Sequence, residues 1–411
     1  MKLILRNASA VVTCSASGRK YKRGAEMKDV GMISGVDILV DDGDIAAIGN
    51  IPSVEGAEEF DVSEKILLPG FIDPHTHLIF AGTREREFGM RSRGATYAEI
   101  AGSGGGILET VSKTRETPKS RLRSLAERRL DRMLQWGSTT VEMKSGYGLD
   151  FKNELKMLET ANEMKAESIA DVVVTFLGAH AVPPEFKPDR DGYLRILVEE
   201  LIPYVSRRKL ADFCDVFCDE GFFTVEESSR ILRAARSSGL KLKLHADEMS
   251  GDGGVRLGVD LGATSVDHLE NISPDEIGAL GRSETVGVVM PAVAAYLGMK
   301  PAPVREMIES DCVIALASDF NPGTSMVDNM QTVMWLAICL NRMTVEEALN
   351  AATINAAAAL SLSDRYGSIE VGKKADMLIV DARDYSYLPY HFTQNRIERV
   401  IKNGTVLEFT R

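Results

Sequence analysis

The chain has 411 residues, with 48 Lys+Arg against 60 Asp+Glu for a formal net charge of −12, and it is 44% hydrophobic and 26% charged. That composition is globular, which excludes a disordered, collagen-like or coiled-coil chain, and the length suits one large α/β unit with a smaller satellite. The acidic balance argues against non-specific attraction to nucleic acid or to an anionic membrane and leaves a small molecule as the expected partner.

At the N-terminus, Arg6 and Asn7 interrupt MKLILRNASAVV, so no secretion signal is expected there, and no stretch of the chain reaches the roughly 18 apolar residues of a membrane helix. Segments 36–40 and 45–48, separated by 41–44, form a predicted hairpin. Between residues 68 and 362, eight short apolar runs alternate with amphipathic stretches, at 68–73, 138–143, 171–177, 213–218, 241–245, 265–268, 286–290 and 313–319. Eight strands separated by helices predict an α/β fold, a (β/α)8 TIM barrel, with a doubly wound open sheet as the alternative. Thr117 and then Pro118, at a first helical position, open a helix whose apolar stripe is Leu122, Leu125, Leu130, Met133 and Leu134 and whose stop is Gly137. Its arginines (Arg121, Arg123, Arg128, Arg129, Arg132) are interleaved with acids, as on a solvated face. Thr224 with Glu227, and Thr344 with Glu347, fit capping boxes at helix starts. Near the C-terminus, Asn403-Gly404 between two apolar pairs predicts a second hairpin. Neither flank, 1–67 or 363–411, is large enough to bury a core alone, so the two are expected to pair into one composite β-sandwich beside a catalytic barrel at 68–362. Five scattered cysteines (Cys14, Cys214, Cys218, Cys312, Cys339) offer no disulfide framework, and a cytoplasmic location is expected.

In a barrel of this kind the active site is built at the C-terminal ends of the strands. His75 and His77 follow the first run, His180 follows the third, His245 ends the fifth, His268 ends the sixth and Asp319 ends the eighth, so five of the six histidines fall at strand ends. Residues two apart on an extended chain project to one face, which aims the imidazoles of His75 and His77 into the barrel mouth. With His245 and Asp319 they make a set of N and O donors suited to Zn²⁺ or Fe²⁺ with a position left for water; histidines satisfied within polar loops are the alternative. The fourth run holds no lysine that could be carbamylated to bridge two ions, so one ion is expected. Glu220 lies just beyond it as a carboxylate able to bridge a second ion, and Lys144 is expected to be a hydrogen-bonding or charge-balancing group. Cys214 and Cys218 lack zinc-ribbon spacing and are expected to be buried apolar residues. Gly102, Gly104, Gly105 and Gly106 suggest a lid; without the Lys and Ser/Thr of a phosphate-binding loop they do not suggest a nucleotide site.

The blocks LPGFIDPHTHLIFAGTRERE (68–87), RGATYAEIAGSGGGI (93–107), KLHADE (243–248), DHLE (267–270) and GSIEVGKKADMLIVD (367–381) resemble the amidohydrolase superfamily. EMKSGYGLD (142–150), GAHAVPPE (178–185) and ASDFNPGTS (317–325) narrow the resemblance to its imidazolonepropionase family, enzymes of histidine degradation that open a cyclic imidazolone. The resemblance implies one divalent metal per subunit, zinc or iron, bound by His75, His77, His245 and Asp319. It also implies a pocket for a small carboxylate-bearing substrate formed by Arg84, Tyr147, His180, Glu248, Asn321, Gly323 and Thr324. The planar fork of Arg84 suits a propionate. Water added to the ring carbonyl would leave Asp319, Glu248 or His268 to take its proton and another of the three to deliver one to the leaving nitrogen, the order being open. A homodimer is the expected assembly. Two other classes remain: a deaminase of an amino-substituted heterocycle, suggested by the HxxE arrangement of His245 and Glu248, and a noncatalytic scaffold, which would typically lack part of the ligand set.

Overall fold

The computed structural model describes residues 2–95, 99 and 104–409. Its eight-stranded sheet takes the apolar runs in chain order and pairs them in parallel: β1 (Phe71–Asp73), β2 (Ser138–Lys144), β3 (Asp171–Ala179), β4 (Phe213–Cys218), β5 (Lys241–Ala246), β6 (Ser265–His268), β7 (Val286–Val289) and β8 (Val313–Leu316). The fold is the (β/α)8 barrel, with two further sheets beside it.

Several strand ends differ by one or two residues from the sequence expectation, and two larger differences fall at the first and last strands of the barrel. The run at 68–73 is two strands. Ile66–Pro69 pairs antiparallel with Met377–Val380 in a neighbouring sheet, and the chain crosses into the barrel at Gly70. A Cβ at Gly70 would lie 2.2 Å from Thr139 Oγ1, so the crossing is too tight for a side chain. At the other end, β8 stops at Leu316, and Asp319 lies beyond it in a left-handed conformation with φ 48°.

β1 has three residues and β8 has four, and among the described residues they share no ladder. Closure falls to the segments that follow them. Asp319 N donates to His75 O at 3.1 Å, His77 N donates to Phe320 O at 3.1 Å, and Ser318 N donates to Asp73 Oδ1 at 3.1 Å.

The helix expected from Pro118 spans Lys119–Gln135, with Pro118 as its extended N-cap, one position earlier than expected, and Gly137 (φ 89°) beyond its end. Leu122, Leu130, Met133 and Leu134 are buried, whereas Leu125 is half-buried. Arg129 departs from the solvated face: its Nη1 donates to Leu78 O and Phe80 O, both at 2.8 Å, giving partners to carbonyls just after β1. Both expected capping boxes form, and Ser273 with Glu276 makes a third.

The remaining strands form a four-stranded sheet from the N-terminal flank and a six-stranded sheet that mixes both ends of the chain. Leu3, Leu5, Ile38, Val40, Leu67, Met377, Ile379 and Ile401 pack between them as a core separate from the barrel's. The hairpins at Asp37–Asp41/Asp44–Gly49 and Ile397–Lys402/Thr405–Leu407 both form; Asn403 and Gly404 carry the positive φ values that a tight two-residue turn requires. All five cysteines are free and only Cys339 is exposed. No helix among the described residues is long and apolar enough to cross a membrane.

Gly70→Ala is expected to destabilise the protein by about 1–3 kcal/mol through overpacking against Thr139. The check is a lower urea midpoint at an unchanged denaturant slope.

Candidate active site

The segments that close the barrel carry His75, His77 and Asp319, and β5 brings in His245. Asn321 Nδ2 and Thr324 Oγ1 donate to Asp319 Oδ2 at 2.8 and 3.2 Å, which aims Oδ1 at the histidines. It lies 3.3 Å from His77 Nε2 and 3.6 Å from His75 Nε2, and His77 Nε2 is 3.5 Å from His245 Nε2. His75 Nε2 and Asp319 Oδ1 are buried without a hydrogen-bond partner among the described residues. Burial holds the His75 and His77 imidazoles well below the ordinary histidine pKa, helped by Lys144 and by neighbouring imidazoles, so both are neutral and present lone pairs at neutral pH. Orphaned N and O donors converging on one point form a cluster of the metal-holding type, His75 with His77 and His245, and His75 with His268 and Asp319.

Around this cradle stand the other residues expected from the sequence. His180 stacks on His77 with ring centroids 4.9 Å apart, and Tyr147 lies 5.3 Å from His180. His268, buried with a positive φ of 88°, places Nε2 at 3.5 Å from Glu248 Oε2. Burial lowers the His268 pKa to about 3 and, with the carboxylates of Glu270 and Asp319, raises that of Glu248 well above the carboxylate range. Asn321 Oδ1 accepts from Gly323 N at 2.7 Å, and Gly323 lies under the Arg84 guanidinium. Two candidates fall elsewhere. Glu220 is exposed, while its neighbour Asp219 is buried and turned toward the loop after β5. Lys144 is fully buried in ion pairs with carboxylates, in keeping with a charge-balancing role. Of the glycine loop, Gly102 lies outside the described residues, and Gly106 precedes the helix Ile107–Glu116.

A family model described as amidohydrolase family matches residues 66–407. An imidazolonepropionase of Geobacillus thermodenitrificans is 45% identical, covering 98% of this chain and 97% of its own, and one of Clostridium tetani is 41% identical, covering 98% of both. The chain belongs to the amidohydrolase family, among the imidazolonepropionases. Solved structures share the fold at lower identity. A triazine hydrolase from Arthrobacter aurescens has a TM-score of 0.75 at 17% identity, covering 99% of this chain and 94% of its own. An atrazine chlorohydrolase mutant of Arthrobacter aurescens TC1, complexed with zinc and atraton, has a TM-score of 0.73 at 17% identity, covering 99% of this chain and 95% of its own.

Beneath the cradle this amidohydrolase buries a layer of charge that the strand-end reading passes over. Lys144 Nζ lies 2.9 Å from Glu142 Oε2 and 2.7 Å from Asp215 Oδ2, and Lys243 Nζ lies 3.1 Å from Glu142 Oε1 and 3.5 Å from Asp267 Oδ2. Asp267 Oδ2 is 2.6 Å from His75 Nδ1, and Asp215 Oδ2 is 3.0 Å from His245 Nδ1. Flanked by ammonium groups, the Asp267 carboxylate accepts from His75 Nδ1–H and the Asp215 carboxylate lies beside His245 Nδ1, which leaves Nε2 of each ring as the donor atom turned to the mouth. The signal for this layer is present in the strands, where polar residues recur at every second position: Glu142 and Lys144, Lys243 and His245, Ser265 and Asp267.

The loops of the mouth are held by carboxylates for which the sequence carries no such signal. Glu154, fully buried, accepts from Gly146 N at 3.1 Å, Gly148 N at 2.8 Å and Leu149 N at 2.9 Å, fixing the loop that bears Tyr147. Asp219 accepts from Glu248 N and Met249 N at 2.8 Å and from Ser250 N at 3.0 Å, fixing the loop that bears Glu248. Glu154→Leu would strand three buried amides and is expected to cost on the order of 3 kcal/mol. Hydrogen exchange should show Gly146, Gly148 and Leu149 losing protection together, ahead of β2 itself.

Proposed function

We propose that this chain hydrolyses the ring amide of 4-imidazolone-5-propanoate, adding one water to give N-formimidoyl-L-glutamate in histidine degradation. The observation that carries this reading is the placement of an arginine fork, Arg84, over Gly323, in the same segment that turns Asp319 toward His75 and His77. A reacting amide and a carboxylate tail are thereby offered adjacent partners, and near-full-length relatives named imidazolonepropionase support the same substrate.

In this reading His75, His77 and His245 through Nε2 and Asp319 through Oδ1 would hold one divalent ion, zinc or iron, the donor set containing no soft ligand to favour either. Such an ion, when bound, lowers the pKa of water toward about 7 and polarises a carbonyl. The chain's own groups do the rest. Arg84 binds the propionate, while Tyr147 and His180 wall the ring. Asp319 accepts the water proton as the new C–O bond forms, and His268 donates an N–H to the developing oxyanion. Glu248, whose carboxyl burial makes a weaker acid, gives its proton to the ring nitrogen as the C–N bond breaks. The assignment extends to a cytoplasmic homodimer with no nucleic-acid or membrane partner; the five free thiols support a reducing compartment, and two-fold dimers are the commonest assembly.

The test is ultraviolet monitoring of imidazolonepropionate loss together with metal analysis. His245→Ala is expected to lose the ion and all detectable turnover. Chelation of the wild type should do the same, reversibly on adding zinc or iron. Arg84→Ala should raise KM at least about tenfold with a smaller change in kcat. Release of ammonia in step with substrate loss would favour a deaminase, and unchanged Arg84→Ala kinetics would remove the anchor.

A further inference from the structure

Arg84, the proposed propionate anchor, forms an ion pair with Glu87, a residue to which the mechanism gives no part. Arg84 precedes the helix Glu85–Arg91, and Glu87 lies in its first turn. Arg84 Nε donates to Glu87 Oε1 at 2.8 Å and Nη2 donates to Oε2 at 2.6 Å, the parallel two-bond geometry of a guanidinium gripped along its side. Both side chains are nearly inaccessible, at 10% and 5% exposure, so the pair is not a solvated surface contact. Glu87 Oε1 also accepts from Gly106 N at 2.8 Å, at the start of the helix Ile107–Glu116. One carboxylate therefore holds the arginine and the end of the glycine loop together.

The grip decides which part of the guanidinium is turned toward the segment that follows β8. With Nε and Nη2 turned to Glu87, Nη1 lies over Gly323, where a Cβ would come within 2.1 Å of it. Gly323 N is bound to Asn321, and Asn321 is bound to Asp319 Oδ2, so the end of the fork is delivered to the segment that carries Asp319. A guanidinium can serve one carboxylate along its side and a second across its end.

We propose that Glu87 is a positioning residue that occupies the side of Arg84 and so presents its end to the substrate carboxylate, with the start of the helix Ile107–Glu116 tied to the same group. The proposal rests on the reading of Arg84 as the propionate anchor. It opposes a simpler one, in which Glu87 merely neutralises Arg84 and competes with the substrate for it. The two readings predict opposite signs. Loss of the Glu87 charge loosens a positioned anchor and weakens substrate binding, or it frees a sequestered anchor and strengthens it.

The experiment compares Glu87→Gln, Glu87→Asp and Arg84→Ala in the metal-loaded enzyme, with imidazolonepropionate and with 4-imidazolone lacking the propionate chain. Glu87→Gln is expected to raise KM for imidazolonepropionate about tenfold while kcat changes less than about twofold, with Glu87→Asp intermediate. Neither variant should alter kcat/KM for the chain-free ring, and Glu87→Gln should add nothing in an Arg84→Ala background. If Arg84→Ala raises KM while Glu87→Gln leaves it unchanged or lowers it, the positioning role is overturned and the anchor stands. If Arg84→Ala has no effect on KM, the anchor reading fails and this proposal falls with it. Should Glu87→Gln not fold, as judged by circular dichroism, Glu87→Asp carries the same test.

Discussion

A parallel barrel closes only when its last strand hydrogen-bonds to its first. Here those strands are too short to do so, and the closing bonds fall on the residues just beyond them, with Asp319 N on His75 O and His77 N on Phe320 O. Backbone closure and the placement of three donor side chains are therefore one event. Ser318 N bonded to Asp73 and the left-handed turn at Asp319 complete the seam, and Asn321 and Thr324 then orient the Asp319 carboxylate from above. A barrel that closed in another register would carry these donors out of reach of one another, because a donor set tolerates only about 0.5 Å of error.

Below the seam, the buried layer of Glu142, Lys144, Asp215, Lys243 and Asp267 is an expensive way to fill a barrel. Charges removed from water gain little net stability even when paired, and deleting one partner of such a pair typically costs about 3–5 kcal/mol. Its return here is orientation. Asp267 and Asp215 turn His75 and His245 so that Nε2 faces the mouth, and the lysines offset the carboxylates that do so. Apolar residues in these positions would pack as well but would leave the imidazoles free to flip.

Much of this was legible in the chain itself. Apolar runs alternating with amphipathic stretches announce eight strands, and histidines at the ends of those runs announce the mouth, because pattern and position survive without coordinates. His75, His77, His245 and Asp319 are brought together as their places in the pattern suggest. What could not be read depends on contacts across the fold. Gly70 looks like the middle of a strand until Thr139 is seen behind it. Glu220 looks as well placed as Asp219 until one is found exposed and the other surrounded by backbone amides. Glu87, Glu154 and Arg129 resemble ordinary charges of surface helices, and only the loops folded onto them reveal what they hold.

The crossing at Gly70 also bears on the order in which the molecule can assemble. The strand Ile66–Pro69 runs directly into β1, yet its antiparallel neighbour Met377–Val380 emerges from the ribosome only after the last barrel strand has been made. Until then the first barrel strand is tethered to a ribbon paired on one side only, with Ala10–Val12, and contacts so distant along the chain form slowly. Translation itself thus delays the locking of the satellite sheet, and with it the full anchoring of the residues that lead to His75, until all eight barrel strands are available to fold.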